Sequence, residues 1–271
     1  MTVAARVRTA SRLAGALGLA ASAFGCVGAP SPLAPGLGGS VGVPHHGVVT
    51  DAASLPNKGP GFERFRTDDV RWGSPRLVSL VKNAAAEVAK KRPGATLVVG
   101  DLGERFGGET LRHRSHRSGR DVDLLLYLET PTGKPMKSPG FLKVGADGLA
   151  AIPDKHAFAR IDVDRTWLLA KALLTQADVD IQWIFVSRPV EAMLIEHARA
   201  LGEDPEILYR AETVFAQPSD STPHDDHFHV RIACTADEAV AGCEGGPRRP
   251  WQSGPEPLEL SDRDLLEALL D

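Results

Sequence analysis

Six residues near the end of the chain, His227-Phe228-His229-Val230-Arg231-Ile232, alternate strictly between polar and apolar side chains. Side chains point to opposite faces of a β-strand with a period of two. The segment therefore reads as a half-buried strand, with Phe228, Val230 and Ile232 on a core and His227, His229 and Arg231 together on the other side. Residues 121–128 read as another strand, in which Asp121 and Asp123 share one face. Two such strands call for a small antiparallel sheet whose polar face is a cleft and whose apolar face packs on helices, an α+β class.

The polar positions belong to two windows, residues 113–123 and 224–229, which hold five of the nine histidines and two aspartates each. Imidazole nitrogen and carboxylate oxygen are ligand types that zinc accepts, and a catalytic site uses three of them plus an open position. His227 and His229 point the same way, so either can hold metal while the other handles a proton. Asp121 and Asp123 stand in the same relation. His45 and His46 lie in a segment read as flexible and are discounted. His156 beside Asp154 is read as a solvated loop pair before a second metal site, and His197 as a structural helix residue.

Arg6, Arg8 and Arg12 precede an apolar stretch at residues 13–24, with no acidic residue before Asp51. A basic start followed by a short apolar region is a secretory signal, too short for a stable membrane span. Residues 1–25 are assigned to it, and Ala21-Ser22-Ala23 offers an Ala-x-Ala cleavage site. The alternative is a degenerate lipobox, Ala23-Phe24-Gly25-Cys26, in which Cys26 carries a lipid anchor. The product is periplasmic or outer-membrane-anchored. Residues 26–47 are read as a Pro/Gly-rich linker, residues 48–245 as one catalytic domain, and 246–271 as an acidic tail. Omitting the three arginines of residues 1–50 moves the net charge from −4 to −7. Such a balance argues against nucleic acid as a partner, since phosphate binding needs a basic stripe. In an oxidising compartment Cys234 and Cys243 would close a nine-residue loop just beyond the histidine strand.

Helices are predicted over residues 75–91, capped by Ser74 with Pro75 at the first position, from an Asp164 cap to about 177, over 189–201, and over 205–215 behind an Asp204 cap. Strands are predicted at 96–100 and 181–186. Ser261 and Asp264 form a capping box for a terminal helix.

The spacing His116-x6-Asp123 with a later His227-x-His229 resembles the superfamily of lysostaphin, D-Ala-D-Ala metallopeptidases and hedgehog. The finer likeness is to its penicillin-insensitive murein endopeptidase family. It rests on Gly100-Asp101-Leu102, Gly107-Gly108, His113-x-Ser115-His116-x-x-Gly119-x-Asp121-Val122-Asp123 and Pro223-His224-Asp225-Asp226-His227-Phe228-His229-Val230-Arg231. The resemblance implies a Zn2+ enzyme with His116, Asp123 and His229 as ligands, His227 as general base, and His224 stabilising the oxyanion or orienting water. It implies that His113 touches substrate or serves as an extra ligand, and that Asp121, Asp225 and Asp226 orient imidazoles. The implied substrate is the D-Ala–diaminopimelate cross-link of peptidoglycan, cut without a serine that penicillin could acylate. Arg117 and Arg120 stand where milder residues are expected in relatives, a departure that bears on substrate contacts. A D,D-carboxypeptidase or dipeptidase of the same superfamily is the alternative enzyme. A non-catalytic wall-binding lipoprotein is the alternative outside catalysis.

Overall fold

The His227–Ile232 strand forms where the alternation puts it, as an inner strand of a seven-stranded sheet. In the computed structural model, which describes residues 38–245, 249 and 251, the strands of that sheet run Phe215–Ala216, Ile181–Phe185, His227–Ile232, Asp121–Leu125, Leu97–Val99, Phe62–Arg64, Lys58–Gly59. Register sets the polar face: His229 lies opposite Asp123, Arg231 opposite Asp121 and His227 opposite Leu125. Residues directly opposite on one face are close enough to interact, so imidazole meets carboxylate across the strands. On the reverse face Val122, Leu124, Phe228, Val230 and Ile232 are all fully buried.

The α+β class holds, but the sheet is mixed and larger than the small antiparallel one expected. Phe62–Arg64 pairs parallel with Leu97–Val99, and Ile181–Phe185 pairs parallel with Phe215–Ala216. Parallel neighbours need a crossover, normally helical. The first crossover contains helix α1 (Pro75–Lys91). The second contains α3 (Arg188–Ala200) and α4 (Pro205–Val214), which follow α2 (Val163–Leu174). The added strands, Phe62–Arg64 and Phe215–Ala216, are three and two residues long, too short for a periodicity to be visible.

Helix α1 occupies the predicted span. The Ser74 side chain accepts from the Leu77 N–H, and Leu77, Leu80, Val81, Ala84, Ala85 and Val88 are buried. Helix α2 starts earlier than expected, because its cap is Asp162, whose carboxylate accepts from the Arg165 N–H. Asp164 instead sits in the first turn and pairs with Arg92 at 2.6 Å. A smaller four-stranded sheet formed by Leu128–Glu129, Pro135–Met136, Leu149–Ile152 and Ala157–Ile161 was not anticipated.

Part of the expected linker is structured. Ser40–Val43 and His46–Val49 form a hairpin in which Ser40 and Val49 are buried. A Cβ on Gly47 would lie 2.5 Å from the Val41 carbonyl oxygen, so the strands approach only because that residue is glycine. Beyond the histidine strand, Cys234 and Cys243 form the expected disulfide, enclosing the short helix α5 (Ala236–Val240). Among the described residues no helix is long and apolar enough to cross a membrane. The signal, Cys26 and the Ser261–Asp264 box lie outside the described residues.

Candidate active site

The cluster is built around Asp123, whose carboxylate is buried on the polar face of the sheet. Four imidazoles surround it. Its Oδ1 lies 3.3 Å from His116 Nε2, 3.4 Å from His227 Nε2 and 3.7 Å from His229 Nδ1, and its Oδ2 lies 3.7 Å from His113 Nε2. His227 and His229 reach it from the neighbouring strand. His113 and His116 come from the loop that precedes Asp121–Leu125. His116 holds a left-handed backbone with φ +65°, which is uncommon for a residue with a Cβ and marks local strain at a site.

Three of the four imidazoles are oriented from behind. His116 Nδ1–H donates to the Leu102 carbonyl, His229 Nε2–H donates to Asp121 Oδ1 at 2.7 Å, and His227 Nδ1–H donates to Asp226. With those nitrogens committed, His116 Nε2, His229 Nδ1 and His227 Nε2 are the nitrogens turned toward Asp123. His116 Nε2 and both oxygens of Asp123 are buried without a hydrogen-bond partner. Buried polar atoms are nearly always satisfied, and here several unsatisfied donors of electron pairs converge on one point. That set, two imidazole nitrogens and a carboxylate, fits one divalent cation of the zinc type.

Proximity alone groups His113 with His116 and Asp123, and His224 with His227 and His229, whereas His116, Asp123 and His229 draw on both groups and meet at Asp123 Oδ1. His113, however, donates its Nε2–H to Asp101 at 2.9 Å and stacks on His116 at 4.1 Å, so that nitrogen is committed elsewhere. Burial pushes His224 down to about 4, helped by His227 and His229, and the ring is neutral at pH 7. Burial also opposes the charge on Asp123, yet His116 and His227 outweigh it and hold the carboxyl well below the carboxylate range. Asp121 is kept ionised in the same way by Arg231 and His229. Burial lowers His227, but Asp123 and Asp226 more than reverse this and push it up to about 9, so the ring carries both protons at neutral pH as long as the Asp123 charge faces it.

Asp121 and Asp226 thus orient imidazoles as expected. Asp225 does not, because its side chain makes no hydrogen bond to a histidine among the described residues. Its carbonyl accepts from the Val144 N–H instead. Arg120 does not face the site either. It is fully buried, and its guanidinium donates to the carbonyls of Ile232 and Glu244, tying the strand end to the chain after the disulfide. His156 is absent from the metal-competent groups among the described residues, and His197 faces Asp164 at 3.7 Å. His45, discounted as part of a linker, lines the same cleft as His113, His224 and His229, because the hairpin turn carries it there.

Asp101 is the residue with an unforeseen role. It receives Arg112 at 2.7 Å, His113 at 2.9 Å and Arg66 at 3.2 Å. Its visible signals are its place directly after the predicted strand at 96–100 and its membership of the Gly100-Asp101-Leu102 motif. Phe141 lies edge-on to His227 and Phe185 edge-on to His229. They supply the apolar surround that strengthens electrostatic interactions inside.

The cleft over these groups measures about 720 Å3, room for a peptide. An ionised carboxylate ringed by oriented imidazoles, of which His113, His224 and His229 line such a cleft, is the equipment of a hydrolase, and fold and site together are those of that class. The penicillin-insensitive murein endopeptidase family matches residues 40–257, and the chain belongs to it. It is 30% identical over 230 residues to the penicillin-insensitive murein endopeptidase of Klebsiella pneumoniae subsp. pneumoniae, covering 80% of this chain and 78% of that one. The protein of the same name from Escherichia coli is 30% identical over 222 residues, with 81% and 74% covered. That of Shigella dysenteriae serotype 1 is 30% identical over 244 residues, with 89% and 81% covered.

Proposed function

We propose that this chain is a zinc-dependent murein endopeptidase, exported to the cell-wall compartment, that hydrolyses D-Ala–diaminopimelate cross-links in peptidoglycan. The observation that carries the reading is the convergence of His116 Nε2, Asp123 and His229 Nδ1, buried and with Asp123 and His116 Nε2 lacking hydrogen-bond partners. The His116-x6-Asp123 and His227-x-His229 spacings support placement with lysostaphin and the D-Ala-D-Ala metallopeptidases.

His116, Asp123 and His229 would hold the cation, with Leu102 and Asp121 fixing the two rings. When bound, zinc polarises the scissile carbonyl and lowers the pKa of water at the site. With Asp123 committed to the cation, His227, held by Asp226, would lose the partner that keeps its ring protonated, and its Nε2 could then take the proton of the attacking water and pass it to the amine that leaves. The neutral His224 ring donates to the oxygen on which negative charge develops. The carbon–nitrogen bond breaks, leaving a carboxylate on D-Ala and an amine on diaminopimelate. His113, anchored by Asp101 on the cleft wall, contacts substrate.

An endopeptidase needs room on both sides of the bond. A second groove of about 330 Å3 lies along the Ser40–Val49 hairpin and shares Arg117 with the lining of the cleft. A second groove beside the cleft supports cross-link cleavage over trimming of a free terminus. Digestion of purified sacculi is expected to convert cross-linked dimers to monomers, to stop with a chelator and to resume with added zinc. Release of free D-Ala with dimers intact would instead identify a carboxypeptidase.

Asp121→Asn should lower metal affinity and kcat/KM by about 10–100-fold, the usual effect of losing a residue that orients a ligand histidine. Titration with zinc under a competing chelator, beside the digestion rate, checks it. An unaltered affinity would remove Asp121 from that role.

A further inference from the structure

The cleft carries more positive charge than the hydrolytic groups use. Four arginines line it, Arg112, Arg114, Arg117 and Arg231, against one carboxylate, Asp220. Two of the four are neutralised. Arg112 lies 2.7 Å from Asp101 and 2.7 Å from Asp68, and Arg231 Nε lies 2.7 Å from Asp121. The remaining two are not. Arg114 is exposed and makes no ion pair among the described residues. The one carboxylate within 4.0 Å of Arg117 among the described residues is Glu109, at 3.7 Å, whose side chain is 91% exposed.

Arg117 is the more telling of the pair. Its side chain is only 22% exposed, and its Nε is buried without a hydrogen-bond partner. A guanidinium largely withdrawn from water with an N–H unsatisfied is poorly placed as a solvated surface charge. Its planar fork matches a carboxylate in two parallel hydrogen bonds. It lines both the cleft beside the imidazoles and the groove along the hairpin, whose walls include Gly108. A Cβ at Gly108 would meet nothing within 4 Å, so that wall is open to the main chain of an extended ligand.

We propose that Arg117, assisted by Arg114, determines specificity by binding a free carboxylate on the amine side of the scissile bond, so that cross-links with an unmodified diaminopimelate carboxylate are preferred. The inference rests on the murein endopeptidase reading and names the substrate group that the cleft recognises. The diaminopimelate residue that supplies the leaving amine carries a carboxylate. Conversion of that carboxylate to a carboxamide removes the charge and replaces an acceptor with an NH2 that faces the guanidinium donors.

The test uses the zinc-loaded full-length enzyme and two purified muropeptide dimers, identical except that this diaminopimelate group is a carboxylate in one and a carboxamide in the other. The unsubstituted enzyme is expected to favour the free acid by at least about tenfold in kcat/KM, the range of one charge-assisted hydrogen-bond pair. Arg117→Gln should reduce that ratio to within about threefold, and Arg114→Gln should give an intermediate ratio. Arg117→Lys should keep part of the preference, since it retains the charge and loses the fork. A ratio near one for the unsubstituted enzyme would overturn the proposal. So would an Arg117→Gln enzyme slowed equally on both dimers, which signals a structural residue. If Arg117→Gln does not fold, Arg114→Gln and the unsubstituted enzyme provide the same readout, and an unshifted ratio in Arg114→Gln counts against the pair. Failure to cleave either dimer would instead reject the endopeptidase reading itself.

Discussion

Asp123→Asn is expected to abolish cross-link hydrolysis, lowering kcat/KM by about a thousandfold or more, because a bound cation supplies several kcal/mol of transition-state stabilisation. The substitution preserves shape and removes the one charge that four imidazoles share at 3.3–3.7 Å. The same change should empty the site. Metal content measured by plasma mass spectrometry should fall far below one zinc per chain, while the circular dichroism spectrum keeps its native form. The core behind the strand, Val122, Leu124 and Phe228, is untouched. A variant that kept full zinc occupancy and activity within tenfold of the parent would show that the cation, if used, sits elsewhere.

His227→Ala separates chemistry from binding. Loss of a general acid–base is expected to lower kcat by about 10²–10⁴-fold. Zinc stoichiometry should remain near one, because His227 is oriented by Asp226 and lies outside the proposed ligand trio. Sacculus binding by pull-down should persist while dimer cleavage disappears. If growth or wall composition in cells responded identically to the parent and to this variant, the protein would act as a wall-binding component rather than through turnover.

The strands that carry the site were readable because their signal is local. His227–Ile232 needs only its own alternation, and Ser74-Pro75 with the apolar spacing behind it defines α1 without help from distant residues. The cysteine pair was readable for a similar reason, nine residues being a short loop to close. Less was visible where residues lack a periodic pattern. The hairpin at Ser40–Val49 hides in a Pro/Gly-rich composition, so His45 passed for a linker residue although it lines the cleft. Asp162 and Asp164 are equally able to cap α2 on composition, and the preceding strand, which ends at Ile161, decides for Asp162. Arg117 and Arg120 look alike three positions apart, yet one lines the cleft and the other is sealed behind the sheet end.

By itself the amino-acid sequence determined that this chain makes strands with an apolar face and an imidazole–carboxylate face, since the two-residue repeat of an extended backbone is a local steric fact. It also determined which side chains were candidates for a metal, through their chemistry. Tertiary structure decided that His229 would stand opposite Asp123 and that His116 would turn its Nε2 toward both. Register depends on burial summed over the whole sheet. The free nitrogen of each ring depends on what lies behind it, here Leu102, Asp121 and Asp226, and those neighbours exist only once the chain has folded.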